Sequence, residues 1–141
     1  MDLYKDNYCH IAFNKNERTH HLKWLQQPDE TILLKAYNIG IDAAKRYHAI
    51  GWLADNSLAI NLDLSMQRAL AELTASRMNE TEITRFARVV PMDVFHELVT
   101  HKVIELINNL TCNTIEIEVF SDLSDAKVWI SQQDSTLASV G

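Results

Sequence analysis

Apolar residues recur along this chain with two alternating rhythms, a period of two and a period of about 3.6, and their order predicts a fold. Cys9, Ile11 and Phe13 alternate with His10, Ala12 and Asn14, the pattern of a half-buried strand. After a polar turn at 14–17, a second strand at 18–24 places His20, Leu22 and Trp24 on one side and Thr19, His21 and Lys23 on the other. So short a link makes the pair an antiparallel hairpin.

Pro28, Asp29 and Glu30 then open a helix, with acidic residues where a helix N-terminus favours them. The helix runs to about Tyr47, with Leu33, Ala36, Tyr37, Gly40 and Ala44 on its inner face. Gly40 costs such a helix roughly 1 kcal/mol against Ala, and close approach to the sheet would account for it. The third strand, 48–55, ends in the polar turn Asp55-Asn56-Ser57. A second helix at about 64–77 aligns Met66, Ala69, Leu70 and Leu73. The fourth strand, 84–90, stops at Pro91, which has no N–H to donate to a ladder. Asp93 is placed to cap a third helix carrying Val94, Leu98, Val103 and Ile107. A fifth strand at 115–120 and a short helix at 123–131 close the pattern, and the Ser-, Thr- and Gln-rich segment 132–141 is expected to fray.

The resulting order, β-β-α-β-α-β-α-β-α, predicts an α/β domain over residues 1–131 with a mixed five-stranded sheet. In a sheet covered on both faces the strands read as continuous apolar runs. Here Ile115, Ile117 and Val119 alternate with Glu116 and Glu118, and both hairpin strands alternate too. The helices are therefore expected mainly on one face, with part of the other open to water or a partner.

Composition narrows the function classes. An apolar content of 47% with 23% charged residues is globular and argues against general disorder. The net charge is −6 and the Lys and Arg residues are scattered, which excludes a concentrated nucleic-acid surface. No apolar run approaches the roughly 18 residues of a membrane span. The first residues lack the basic-then-apolar layout of a signal peptide, so a cytoplasmic location is expected. Cys9 and Cys112 have no CxxC-type partner and are expected as reduced core thiols.

Three stretches carry a family resemblance: Gly51-Trp-Leu-Ala-Asp-Asn-Ser57, Phe86-Ala-Arg-Val-Val-Pro-Met-Asp-Val-Phe95 and Val119-Phe-Ser-Asp-Leu-Ser-Asp-Ala-Lys-Val-Trp-Ile130. With the element order, they make residues 8–130 resemble uncharacterised bacterial proteins of the STAS-like (anti-sigma-factor-antagonist-like) superfamily. The resemblance implies a (β/α) superhelical fold and a regulatory role in binding a protein or a small ligand. The best-understood STAS domains are switched by phosphorylation of a serine just after a central strand. The corresponding turn here, Asp55-Asn56-Ser57, lacks the Asp-Ser-Ser-Gly character of that switch and has no glycine. The phosphoserine is therefore carried onto neither Ser57 nor Ser65.

Candidate chemistry is sparse. His96-Glu97-Leu-Val-Thr-His101 is one residue too long for HExxH, since positions i and i+5 lie about 140° apart on a helix. His10 and His21 share the more exposed side of the hairpin near Lys23, where a weak metal or anion site competes with an ordinary solvated face. There is no G-x-S-x-G elbow and no phosphate-cradling glycine loop, and the whole chain has three glycines. No cofactor and no metal are expected. Asp55 ends a strand read as parallel, where open α/β sheets bind ligands, with Asn56 and Ser57 beside it and Pro91, Met92 and Asp93, at the end of the next strand, on the same rim. The competing reading is a turn in which Asp and Asn bond their own backbone. The leading expectation is a non-enzymatic regulatory or protein-interaction module whose contact surface surrounds the turn after the third strand. The alternative is a small-molecule-binding protein or modest enzyme using the same strand-end rim. A homodimer formed through an open sheet face or edge is compatible with both.

Overall fold

In the computed structural model, residues 1–92, 94–110 and 115–140 are described, side chains excepted at 94–97, 110 and 133–140. The order is β1 (Asp2–Lys5), β2 (Cys9–Asn14), β3 (Thr19–Trp24), α1 (Glu30–Arg46), β4 (Gly51–Asp55), α2 (Leu64–Arg77), β5 (Arg85–Val89), α3 (Val94–Leu110), β6 (Glu116–Phe120) and α4 (Leu123–Val140), with a 3₁₀ turn at Met78–Glu80. The strands form one mixed sheet in their sequence order. β1, β2 and β3 pair antiparallel, and β3 to β6 pair parallel.

The sheet has six strands, not five. The missed strand is Asp2-Leu-Tyr-Lys5, a short edge strand with a charge at each end and a register irregularity between Asp2 and Tyr4. Four residues flanked by charge give the period-two signal too little length to register. The closing helix runs Leu123–Val140, well past the expected end near Ser131.

Each parallel crossover joins neighbouring strands, and right-handed crossovers of that kind put their helices on one face. α1, α2 and α3 cover the face carrying Ile11, Leu22, Trp52 and Phe86. α4 follows the last strand and lies on the opposite face, where Leu53, Ala87 and Val89 pack against Ala126 and Ile130. Gly51 permits this contact, because a Cβ there would lie 2.8 Å from Ile130 Cγ1. Arg85 fixes α4 further, donating from Nη1 to the Trp129 carbonyl at 2.8 Å with its guanidinium 4.8 Å from the indole centroid.

Helix starts follow local chemistry. Asp29 caps α1 by accepting from Ile32 N at 2.8 Å, and Asp63 caps α2 by accepting from Met66 N at 2.8 Å. The expected inner face of α1 is buried throughout. On α2 the buried set is Met66, Gln67, Leu70, Ala71 and Thr74, so Ala69 and Leu73 are only partly covered. This helix packs between α1 and α3 as well as on the sheet, which rotates the face that meets the core. On α3, Val103 is buried but Leu98 is 64% exposed, with Thr100 taking an inner position.

Candidate functional site

β3, β4 and β5 are parallel and in register, so the segments that follow them emerge at one end of the sheet. Asp55 closes β4 there and is 3% exposed. Its Oδ1 accepts from the Ser57 backbone N–H at 3.0 Å and from the Ser57 hydroxyl. Its Oδ2 lies 3.8 Å from His21 Nε2, too far for a hydrogen bond but close enough for charge to be felt. Burial pushes the Asp55 carboxyl up, yet His21 and the two Ser57 donors outweigh it and bring it down to about 2. Asn56 is also buried, its N–H donating to the Val89 carbonyl at 2.8 Å while its Oδ1 has no partner. Ser57 is exposed. Ala59 then takes a left-handed φ of 66°, a conformation that strains a residue with a Cβ.

Three of the four expected residues are thus brought together in one turn, and two of them face inward. Asp55 and Asn56 shape the turn, and Ser57 reaches the surface. Asp93 lies outside the described residues.

What the rim does expose is apolar. Leu58 after β4 is 50% exposed, Leu64 at the start of α2 is 74% exposed and Met92 after β5 is 84% exposed. The rim is also tied together. Gln27, beyond β3, donates to the Asn61 carbonyl at 2.8 Å and accepts from Asn61 N–H at 2.7 Å, and Ser65 donates to Glu30. Sequence reading placed Met92 on this rim but missed Leu58 and Leu64, because an isolated Leu in or beside a linker carries no periodicity.

A second site lies under the helices. A cavity of about 40 Å³ between β5, β6, α2 and α3 is lined by Tyr37, Arg88 and Thr100 against Phe86, Val103 and Ile107. Arg88 is 6% exposed and its Nε has no hydrogen-bond partner. Among the described residues no carboxylate pairs with it. Its neighbours along the inner row are Ala54 on β4 and Val119 on β6. Burial raises the Tyr37 phenol above its usual value, and the adjacent Arg88 charge and hydrogen bond pull the other way. The signal for this arginine was present in the sequence. It follows Phe86 at a spacing of two and so shares the inner face.

The histidines do not assemble into a metal site. His20 is fully buried against Trp52, 4.2 Å between ring centroids, and burial, with a smaller contribution from His21, pushes it down to about 3. His10 pairs with Asp2 at 2.8 Å, and in the ladder it stands opposite Lys23 while His21 stands opposite Ala12. His101 is exposed on α3, and the His96 and Glu97 side chains lie outside the described residues, as does Cys112. Cys9 is a buried free thiol, with burial and the nearby Asp6 pushing it up to about 12. Among the described residues no group of His, Cys, Asp and Glu is arranged to hold a metal, and no helix is long and apolar enough to cross a membrane. Beside α4, the β2–β3 side of the outer sheet face remains a groove of about 630 Å³ that includes His21, Thr19 and Lys127.

No protein-family model, curated protein or solved structure matches the chain.

Proposed function

We propose that the chain is a non-enzymatic protein-interaction module that meets its partner through the rim at the carboxyl ends of β3, β4 and β5. The observation that carries this reading is the exposure of Leu58, Leu64 and Met92 together on that rim. Single exposed apolar residues are ordinary, but several on adjoining, mutually hydrogen-bonded segments suit a docking surface. The buried Asp55–Ser57 turn holds the surface in shape and leaves the Ser57 position as its polar part.

Affinity capture with Leu58→Asp and Met92→Asp variants tests the reading, with Val128→Asp on α4 as the control. Val128 is comparably exposed at 56% but lies on α4, on the face of the sheet opposite α1, α2 and α3. A partner held by wild type and the control but lost by both rim variants is the expected outcome. Retention by the rim variants, or nothing held by wild type, rejects the rim as the working surface. The alternative of a small ligand at the same rim draws less support, since neither cavity described above is lined by Asp55, Asn56 or Ser57.

A further inference from the structure

We propose that the partner element seated on the rim is a cationic amphipathic helix, its apolar stripe on Leu58, Leu64 and Met92 and its Lys or Arg residues on the carboxylates around them. This rests on the rim's being the docking surface and adds the chemistry of what docks there.

The charge around the apolar groups is one-sided, and the fold makes it so. Helices that follow parallel strands begin at the carboxyl end of the sheet, and helix starts favour Asp and Glu. Asp29 and Glu30 stand at the start of α1, Asp63 at the start of α2, and Asp122 and Asp125 at the start of α4. Glu30 is half-buried and the others are exposed. Lys23 is the only Lys or Arg in the same end segments, 23–30, 55–65, 89–92 and 120–125, and residues 93–97 add none. A helix N-terminus offsets roughly half a charge, so three such starts and one lysine leave these five carboxylates in excess.

The acids lie among the apolar groups. Asp63 immediately precedes Leu64, and Glu30 accepts from the Ser65 hydroxyl that follows it. Asn56 N–H donates to the Val89 carbonyl and Val90 N–H to the Phe120 carbonyl, which ties the loop of Leu58 to those of Met92 and Asp122.

These features choose the occupant. An extended strand docks by main-chain hydrogen bonds to a free sheet edge, and this rim is made of strand ends. A helix docks through side chains alone, with apolar residues recurring at i, i+3, i+4 and i+7. Carboxylates beside the apolar groups attract Lys and Arg on the flanks of such a helix and repel acidic ones. The same charge disfavours a nucleic acid or an anionic membrane.

Fluorescence anisotropy of a labelled peptide of Leu and Lys at helical spacing, about four turns long, titrated with the full chain, tests the proposal. The comparison is the same peptide with Glu in place of every Lys. The Lys peptide should bind saturably and more weakly as salt is raised, and the Glu peptide should not bind. Asp29→Ser with Asp63→Ser removes two carboxylates and keeps a capping hydroxyl at both helix starts, and should weaken binding roughly threefold or more. Leu58→Ser with Met92→Ser should weaken it as well. Glu17→Gln with Glu105→Gln removes the same charge from the β2–β3 turn and the later half of α3, and should leave binding unchanged. No binding of the Lys peptide, equal binding of the Glu peptide, or equal weakening by both charge-removing pairs overturns the proposal. If partner capture is still lost in Leu58→Asp and Met92→Asp, such a result strikes the cationic helix and leaves the rim as the surface. Capture retained by those variants strikes both.

Discussion

A Cβ placed on Gly40 would sit 2.6 Å from Cη2 of Trp52 and 3.2 Å from Cε1 of His20. The glycine in the middle of α1 is therefore the point at which the helix comes down onto the sheet. Trp52 has no room to yield, being fully buried and stacked with Tyr37 and Phe86 at centroid distances of 5.5 and 5.8 Å. Gly40→Ala would add about 1 kcal/mol of helix propensity. The clash opposes that gain, and overpacking of a tight core costs about 1–3 kcal/mol. The variant should unfold at lower urea than wild type, and a higher midpoint would show that the ring can move aside.

His20 makes stability depend on pH. Its folded pKa is depressed to about 3 from 6.5, so between those values the unfolded chain binds more protons. Stability from this residue is complete above pH 6.5 and is lost as pH falls toward 3. The loss should reach about 2 kcal/mol near pH 5. His20→Leu should flatten this part of the profile and cost little at pH 8, because both ring nitrogens lack partners. Urea titrations of both proteins across that range check it, and parallel profiles would rule His20 out as the source.

Asp55 acts in a lower window. Its carboxyl is brought down to about 2 from 3.8, so its contribution is present above 3.8 and lost as pH drops through 2. Asp55→Lys would bury an ammonium beside His21 and remove the acceptor of both Ser57 bonds. It should destabilise by about 3 kcal/mol or more. Circular dichroism melts check this, and a variant as stable as wild type would return Asp55 to the contact surface.

Much of the architecture was legible one element at a time. α2 has the bounds its periodicity predicts, α1 starts at its Asp29 cap, and β4 stops at Asp55. The alternation of β6 correctly marked Glu116 and Glu118 as exposed. Legibility failed where the signal was short or depended on another chain segment. β1 is four residues long, and Leu98 fits the apolar stripe of α3 yet faces solvent because Thr100 and Val103 set the packed side.

The sequence by itself determined the alternation of strands and helices from β2 onward, the Asp29 cap, and the inward side of β2, β3 and β6, because these depend on periodicity and on polar groups a few residues apart. It also contained the turn at 55–57, whose hydrogen bonds span two residues. Tertiary structure decided what surrounds those residues. His21 reaches Asp55 only because β3 and β4 pair in parallel, with Lys23 opposite Asp55 in the ladder. Arg88 lies in a cavity only because α2 and α3 close over it. Burial and charge are properties of neighbours distant in the chain, and no local pattern encodes which neighbours those are.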